Sequence, residues 1–330
     1  MEKSKIIYAS DLHGDIPLIE KLFDEGAKSG ASVAIGGDIL PNSLPISEIS
    51  WEIISQEEKV CMFAKHQRKF IADYFIPKLE RLKSRDRGKR GGRGREVEEI
   101  YLMLGNNDFA CNLYLLEQAE SAGLVKLLYD RKSEKPKLYE IAKDVYLAGY
   151  CYVDLTPFGI KDWEKFDNFE EPTKRVSFRG YKSYNTDGDC EIKVVNLNNP
   201  ACRADNIEKD LEKIASDIGK EKIKRTIFTI HAPPACTALD TMLNREHVGS
   251  FAVRDFIEKY QPLATLHGHI HGSSIITGKY AQKLGETICV NAGVEKSKLR
   301  AVLFDASDAG ITDMCLIRRG VQKKTVPYGP

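Results

Sequence analysis

The sequence predicts an α/β domain, because short apolar runs alternate along the chain with segments of helical period, and because acids and histidines recur just after the apolar runs. At 330 residues the chain is long enough for one large domain with insertions or two modest ones; length alone does not choose, and a single domain over 1–330 is the organisation expected here. Hydrophobic residues at 42% and charged residues at 29% are ordinary for a globular protein and exclude wholesale disorder. A net charge of +1 gives no global pull towards nucleic acid or membrane, so either partner would need a local patch.

The elements follow in order. KIIYAS at 5–10 is a short apolar run, and Ile16, Ile19, Leu22 and Phe23 then repeat at helical spacing, which gives strand, loop, helix. Val33–Ile35 before Gly36-Gly37 reads as a second strand, so Asp11 and Asp38 both fall just past strand ends, where ligands bind in open α/β sheets. Residues 51–82 carry Val60, Phe63, Phe70 and Tyr74 on one face, which predicts a long helix packed on the sheet and bent at Pro77. The segment 83–95, KSRDRGKRGGRGR, has no apolar side chain to bury and is expected to be a basic surface loop.

EEIYLMLG gives a third strand ending at Gly105, and Val145–Tyr152 another. From 156 to 200 the periodicity fails. Turn signals at Asn185 and Asp187-Gly188, with aromatics such as Trp163, Phe166 and Tyr181, predict an irregular insertion folded over the active site. Helical spacing returns at Ile207, Leu211, Ile214 and Ile218. The strand RTIFTI then delivers His231, a helix carries Val253, Phe256, Ile257 and Tyr260, and the strand ATLH delivers Gly268. The remainder, TICVN, RAVLFD and ITDMCLI, is strand-rich.

The eight cysteines, Cys61, Cys111, Cys151, Cys190, Cys202, Cys236, Cys289 and Cys315, show no CxxC pair and no framework spacing, which predicts reduced and mostly buried thiols. MEKSKIIYASD leaves no room for the apolar stretch of a signal peptide, and no segment approaches the ~20 apolar residues of a membrane span, so the expected location is the cytoplasm.

Divalent metals are bound by carboxylate, amide oxygen and imidazole nitrogen, and a two-metal site needs about seven such ligands converging. The chain places candidates at strand ends: Asp11-Leu12-His13, Gly37-Asp38, Gly105-Asn106-Asn107-Asp108, His231, and Gly268-His269-Ile270-His271. Of seven histidines, four fall in these pieces. In an extended strand end residues i and i+2 point to one side, so Asp11 with His13, and His269 with His271, are each expected to address one locus. A lone DxH or HxH is ordinarily a surface turn; it is the ordered set of five at strand ends that points to a metal site.

This ordered set resembles the calcineurin-like metallophosphoesterase superfamily, whose signature is DxH, GD, GNH followed by an acid, a lone His, and GHxH. His231-Ala232-Pro233-Pro234, then Leu239-Asp240, His247-Val248-Gly249-Ser250 and the GHIHG segment, are similar to the Icc-related predicted phosphoesterases in particular. The resemblance implies a four-layer sandwich of two mixed β-sheets flanked by helices. It also implies that Asp11, His13 and His271 hold one divalent ion, that Asn106, His231 and His269 hold the other, and that Asp38 bridges them. Manganese, or iron with a second transition metal such as zinc, suits this mixed donor set better than magnesium. A hydroxide shared by the ions would attack phosphorus in line, with nearby cations neutralising the developing charge.

The implied activity is phosphoester hydrolysis, with a phosphodiester favoured over a phosphomonoester. The departure that sets this preference is Asn107, which stands where the family usually has a histidine acid; an amide donates a hydrogen bond but supplies no proton near neutral pH. Some small relatives that resemble phosphodiesterases also lack this histidine. His247, between two metal motifs, is the candidate to reach the substrate phosphate, the alternative being a surface histidine at a helix start. His267 reads as a hydrogen-bonded structural histidine and His66 as a solvated one. Two rivals remain: a nuclease gripping nucleic acid through Lys83, Arg85, Arg87, Lys89, Arg90, Arg93 and Arg95, although aromatics for stacking are absent there, and a binding scaffold without chemistry.

Overall fold

A computed structural model describes residues 4–44, 55–85, 97–170, 175–307, 310–318 and 321–323. Two mixed sheets dominate it. The first has seven strands in the order Val321–Lys323, Gly310–Arg318, Arg300–Ser307, Ser4–Ala9, Ser32–Gly36, Ile100–Met103 and Lys126–Leu127. The last four run parallel to one another, and the C-terminal strands add antiparallel to Ser4–Ala9. The second sheet has six, in the order Ala281–Leu284, Thr287–Asn291, Ala264–His267, Thr226–Ile230, Val145–Tyr150 and Tyr139–Ala142; its four central strands are parallel and its edges antiparallel. Nearly every side chain of the central strands is buried, as in parallel sheets covered on both faces. Both sheets contribute to one continuous apolar core.

Helices flank the sheets as expected. Ile16–Ser29 starts at Asp15, whose carboxylate accepts from Leu18 N at 3.1 Å, and stops at Gly30 in the left-handed region; Leu18, Ile19, Leu22 and Phe23 face the first sheet. On the second sheet Ile207–Ile218 and Phe251–Tyr260 lie together, with Tyr150 donating to Asp210 at 2.7 Å and Phe228 edge-on to Phe256. Among the described residues no helix is long and apolar enough to cross a membrane.

Four expectations change. The long helix is not simply bent at Pro77: it consists of Gln56–Phe70, a π-helical turn over Ile71–Phe75, and Ile76–Arg85. A proline at 77 has no N–H to give and its ring clashes with the carbonyl four residues back, so the wider turn just upstream absorbs the misfit. Lys83 and Arg85 therefore belong to this helix rather than to a loop, and Lys83 pairs with Glu99 at 3.3 Å. Residues 51–54 of the expected helix, and Arg87, Lys89, Arg90, Arg93 and Arg95 of the basic loop, lie outside the described residues.

Among its described residues the segment 156–200 is irregular only in part. It holds an antiparallel hairpin, Arg179–Thr186 with Asp189–Asn196, turning at Asp187-Gly188 where both residues have positive φ. This two-stranded ribbon belongs to neither large sheet and exposes most of its side chains, which is why no apolar alternation marked it. Trp163 and Phe166 turn inward and are buried: Trp163 donates from Nε1 to Asp108 O at 2.8 Å, and Phe166 packs with Leu155 and Leu197 in a small cluster of its own.

The thiols divide: Cys111, Cys151, Cys289 and Cys315 are buried, Cys61, Cys190 and Cys202 partly so, and Cys236 is exposed. His66 is half-buried rather than solvated.

Candidate metal centre

The site lies at the carboxyl edge of the parallel strands, where loops from both sheets meet. Asp11 and His13 follow Ala9, Asp38 follows Gly36, Asn106 follows Met103, His231 follows Ile230, and His269 and His271 follow His267. Backbone bonds stitch the loops together: Asp11 N donates to Gly37 O at 3.0 Å, His13 N to Asp38 O at 2.8 Å and Gly14 N to Ile39 O at 2.8 Å. Across the two sheets, His231 Nδ1 bonds to Gly36 O at 2.8 Å.

Extended alternation does not explain the DxH and HxH pairs. Asp11 (φ 58), His13 (φ 45), Asp38 (φ 51) and His269 (φ 62) all adopt left-handed backbone beyond the strand ends. Such conformations cost of order 1–3 kcal/mol each and persist only where surroundings impose them, so four among seven candidate ligands mark a site built for position rather than stability. Glycines at 105 and 268 leave the space: a Cβ on Gly268 would run into Ser10 Oγ and Asp11 Oδ2, and one on Gly105 would lie 2.6 Å from His231 Nε2.

The donors converge in two groups. Asp11, His13, Asp38 and His271 offer ligand atoms that all lie within 4.8 Å of one another. Here His13 Nε2 is 3.1 Å from His271 Nε2, and His271 Nε2 is 3.3 Å from Asp11 Oδ1. In the second group Asn106 Oδ1 lies 3.2 Å from His231 Nε2 and 2.8 Å from His269 Nδ1. Asp38 stands between them, with Oδ2 3.9 Å from His13 Nε2 and Oδ1 3.5 Å from His231 Nε2.

This arrangement fits a cation. The His231 Nδ1 proton goes to a carbonyl, so Nε2 presents a lone pair towards two oxygens, Asn106 Oδ1 and Asp38 Oδ1, and only a proton or a metal ion reconciles the three. The titration tendencies agree. Burial opposes charge on His231, but the carboxylates of Asp38 and Asp11 outweigh it and hold its pKa up at about 9. Burial likewise opposes the charge of Asp11, yet its contact with His271 brings it down to about 2, and His231 drives Asp38 far below the carboxylate range. Burial pulls His13 down, whereas the Asp11 contact overcomes burial and raises His271. Two buried carboxylates thus remain ionised and draw protons onto their imidazoles, the charge pattern that divalent ions satisfy better.

Supporting groups orient these ligands. Ser10 Oγ donates to Asp11 Oδ2 at 2.6 Å and His269 N to Asp11 Oδ1 at 2.9 Å. Asn107 is turned onto Asp38, its N–H donating to Oδ1 at 2.9 Å and its amide to Oδ2 at 2.6 Å. Asp108, fully buried, accepts from Leu40 N and Gly105 N, both at 2.9 Å, and so clamps two ligand loops together. Asn291 Nδ2 reaches Leu239 O at 3.0 Å, Gly268 O at 3.1 Å and Ile270 O at 3.3 Å, which ties the 239–240 loop to the GHIH segment. The sequence marks Asp108 and Asp240 as members of motifs without assigning them these tasks, and it does not single out Asn291.

His247 Nδ1 bonds to Asp240 Oδ1 at 2.7 Å, and Asp240, fully buried, also accepts from Cys236 N, Thr237 N and Gly249 N. The His247 side chain remains 45% exposed. His267, by contrast, is saturated inside the core by Ile230 O, Ala232 O and Thr265 Oγ1, as expected, and burial lowers its pKa to about 4.

No curated protein matches the chain in sequence. Among solved structures, one is 19% identical, with 96% of this chain and 100% of that chain covered and a TM-score of 0.53, a likeness of fold. A protein of Thermus thermophilus, TT1561, is 16% identical, covering 92% of this chain and 94% of its own, with a TM-score of 0.44. A putative 5'-nucleotidase from Staphylococcus aureus is 11% identical over 96% of this chain and 54% of that chain, with a TM-score of 0.47. The profile of the calcineurin-like phosphoesterases matches residues 4–273, a stretch that holds all seven candidate ligands. The chain belongs to the calcineurin-like phosphoesterase family and is a metal-dependent hydrolase.

Proposed function

We propose that the chain hydrolyses a phosphodiester with two divalent cations, one held by Asp11, His13 and His271, the other by Asn106, His231 and His269, and both by Asp38. The observation that carries this reading is the placement of Asp38, whose two oxygens face one imidazole from each group. Cations bound there supply Lewis acidity to a phosphoryl oxygen and lower the pKa of a water. Manganese, or iron with zinc, matches the imidazole, carboxylate and amide donors.

The chain's own residues then divide the work. Asn107 holds both oxygens of Asp38, which orients the shared carboxylate and leaves the amide committed to it. His247 is the group for the substrate: Asp240 takes the Nδ1 proton, so the tautomer is set and Nε2 is the ring atom left to meet a phosphate oxygen or a leaving group. The lack of an ionisable ring at 107 favours a diester over a monoester.

The test is turnover by manganese-loaded protein on a panel of monoesters, linear diesters and cyclic nucleotides. The reading predicts that at least one diester exceeds every monoester in kcat/KM. A monoester at the head of the panel would shift the assignment to the runner-up, a phosphomonoesterase.

A further inference from the structure

Away from the metal centre, two sulfurs meet. Cys111 Sγ lies 3.1 Å from Cys190 Sγ, although 79 residues separate them in the chain. Cys111 sits on the 3₁₀ turn Ala110–Asn112, shortly after Asn106; Cys190 sits on the second strand of the 179–196 hairpin, opposite Asn185. The contact is held from several sides. Cys111 N donates to Ser183 Oγ at 2.9 Å, and Asp162 accepts from both Ala110 N at 2.9 Å and Ser183 N at 2.7 Å. Arg68 bonds through Nε to Asn112 Oδ1 at 3.1 Å and through Nη1 to Gly188 O at the hairpin turn. Cys61 points its sulfur at the Cys190 carbonyl, 3.6 Å away, so the sulfur pair is Cys111 with Cys190.

From this geometry we infer that Cys111 and Cys190 form a disulfide under peroxide, a reversible clamp that fixes the hairpin to the segment carrying Asn106. No large movement is required, because the sulfurs already touch and the approach still needed is on the scale of a side-chain torsion. Cys111 Sγ donates to Cys190 Sγ across this contact, so one hydrogen lies between the two sulfurs. One sulfur of the pair, as thiolate, attacks hydrogen peroxide. Its S–O bond forms as the O–O bond breaks, giving a sulfenic acid and one water. The other sulfur then attacks it, the S–O bond breaks, and the hydroxide leaves with that thiol's proton as a second water. Two thiols and one peroxide give one disulfide and two waters. Cys111 is buried, whereas Cys190 is partly exposed, so one sulfur of the pair is open to a small oxidant.

The clamp has something to hold. The hairpin makes no ladder with either large sheet; backbone bonds between Tyr181 and residues 159 and 161, an apolar cluster of Ala64, Phe109 and Ile192, and the contacts of Asp162, Ser183 and Arg68 hold it, and the disulfide would add a covalent link to these. The experiment is mild hydrogen peroxide treatment of the whole protein, followed by intact mass and peptide mapping without reduction. The inference predicts loss of the mass of two hydrogens, a peptide containing Cys111 linked to one containing Cys190, and full reversal by dithiothreitol. Closing so long a loop should also raise the thermal midpoint of the wild type by roughly 5 °C or more, and that of Cys190→Ser not at all. Slower cleavage at Asp187-Gly188 in limited proteolysis would support the clamp in the same sample. Sulfinic acid at Cys111 with no linked peptide, a Cys61 link in its place, or two titratable thiols persisting at 111 and 190 would each overturn it. Because mapping is done on the wild type, a variant that fails to fold leaves the result readable.

Discussion

Replacing Gly105 by alanine adds one methyl group where the metal loops meet. Gly105 does not use left-handed backbone, so the cost is steric alone. The new Cβ would stand 2.6 Å from His231 Nε2 and 2.6 Å from Asp38 N, against roughly 3.4 Å or more for an unstrained contact, and none of these atoms is free to yield. His231 is pinned by Gly36 O and Asp38 by both donors of Asn107. The ligands must therefore part by roughly 1 Å, which costs about 1–3 kcal/mol of stability as overpacking and about 10²-fold in turnover as misplacement. The assay is kcat on a p-nitrophenyl ester alongside metal content and the denaturant midpoint. Gly159→Ala, whose Cβ would meet nothing closer than Tyr181 at 3.8 Å, serves as the control and should be silent. Gly105→Ala protein with full metal content and unchanged kcat would refute the packing argument.

Other outcomes follow from the same geometry. Asp38→Ala should lose more activity than His13→Ala, because Asp38 faces both donor groups while His13 serves one; equal losses in a side-by-side kinetic comparison would count against a shared carboxylate. Asn107→Leu removes the amide bond to Asp38 and should weaken metal retention about 10–100-fold, read by competition with a chelator. His247→Ala should slow esters with poor leaving groups by about 10²–10⁴-fold and p-nitrophenyl esters far less, whereas a parallel fall across a leaving-group series would assign His247 to binding alone. Lys161 and Glu164 are fully buried and paired at 2.6 Å, so Lys161→Met should cost about 3–5 kcal/mol in urea unfolding, and Lys161→Met with Glu164→Leu should recover most of it.

The parallel strands were legible because strands buried on both faces are continuous apolar runs, and their ends located Asp11, Asp38, Asn106, His231 and His269 without any tertiary information. The 179–196 hairpin was not, because a ribbon with most side chains in solvent carries no hydrophobic period. Nor was the way the ligands are aimed. Left-handed backbone at Asp11, His13, Asp38 and His269 is imposed by bonds from neighbouring loops, and non-glycine residues do not announce it. Pro77 predicted a disturbance in its helix but not the π-helical turn that absorbs it. Asp108 and Asp240 stand in pieces that the sequence marks, but not as buried clamps; those roles come from the backbone N–H groups that the fold gathers around them.

The most direct test of the central claim is the number of divalent ions per chain, measured by elemental analysis after equilibration with manganese and gel filtration. Two converging donor groups sharing Asp38 predict two equivalents in the wild type, one in Asn106→Ala with the Asp11, His13 and His271 group intact, and none retained in Asp38→Ala. One equivalent or fewer in the wild type, or two in Asn106→Ala, would contradict the two-ion assignment.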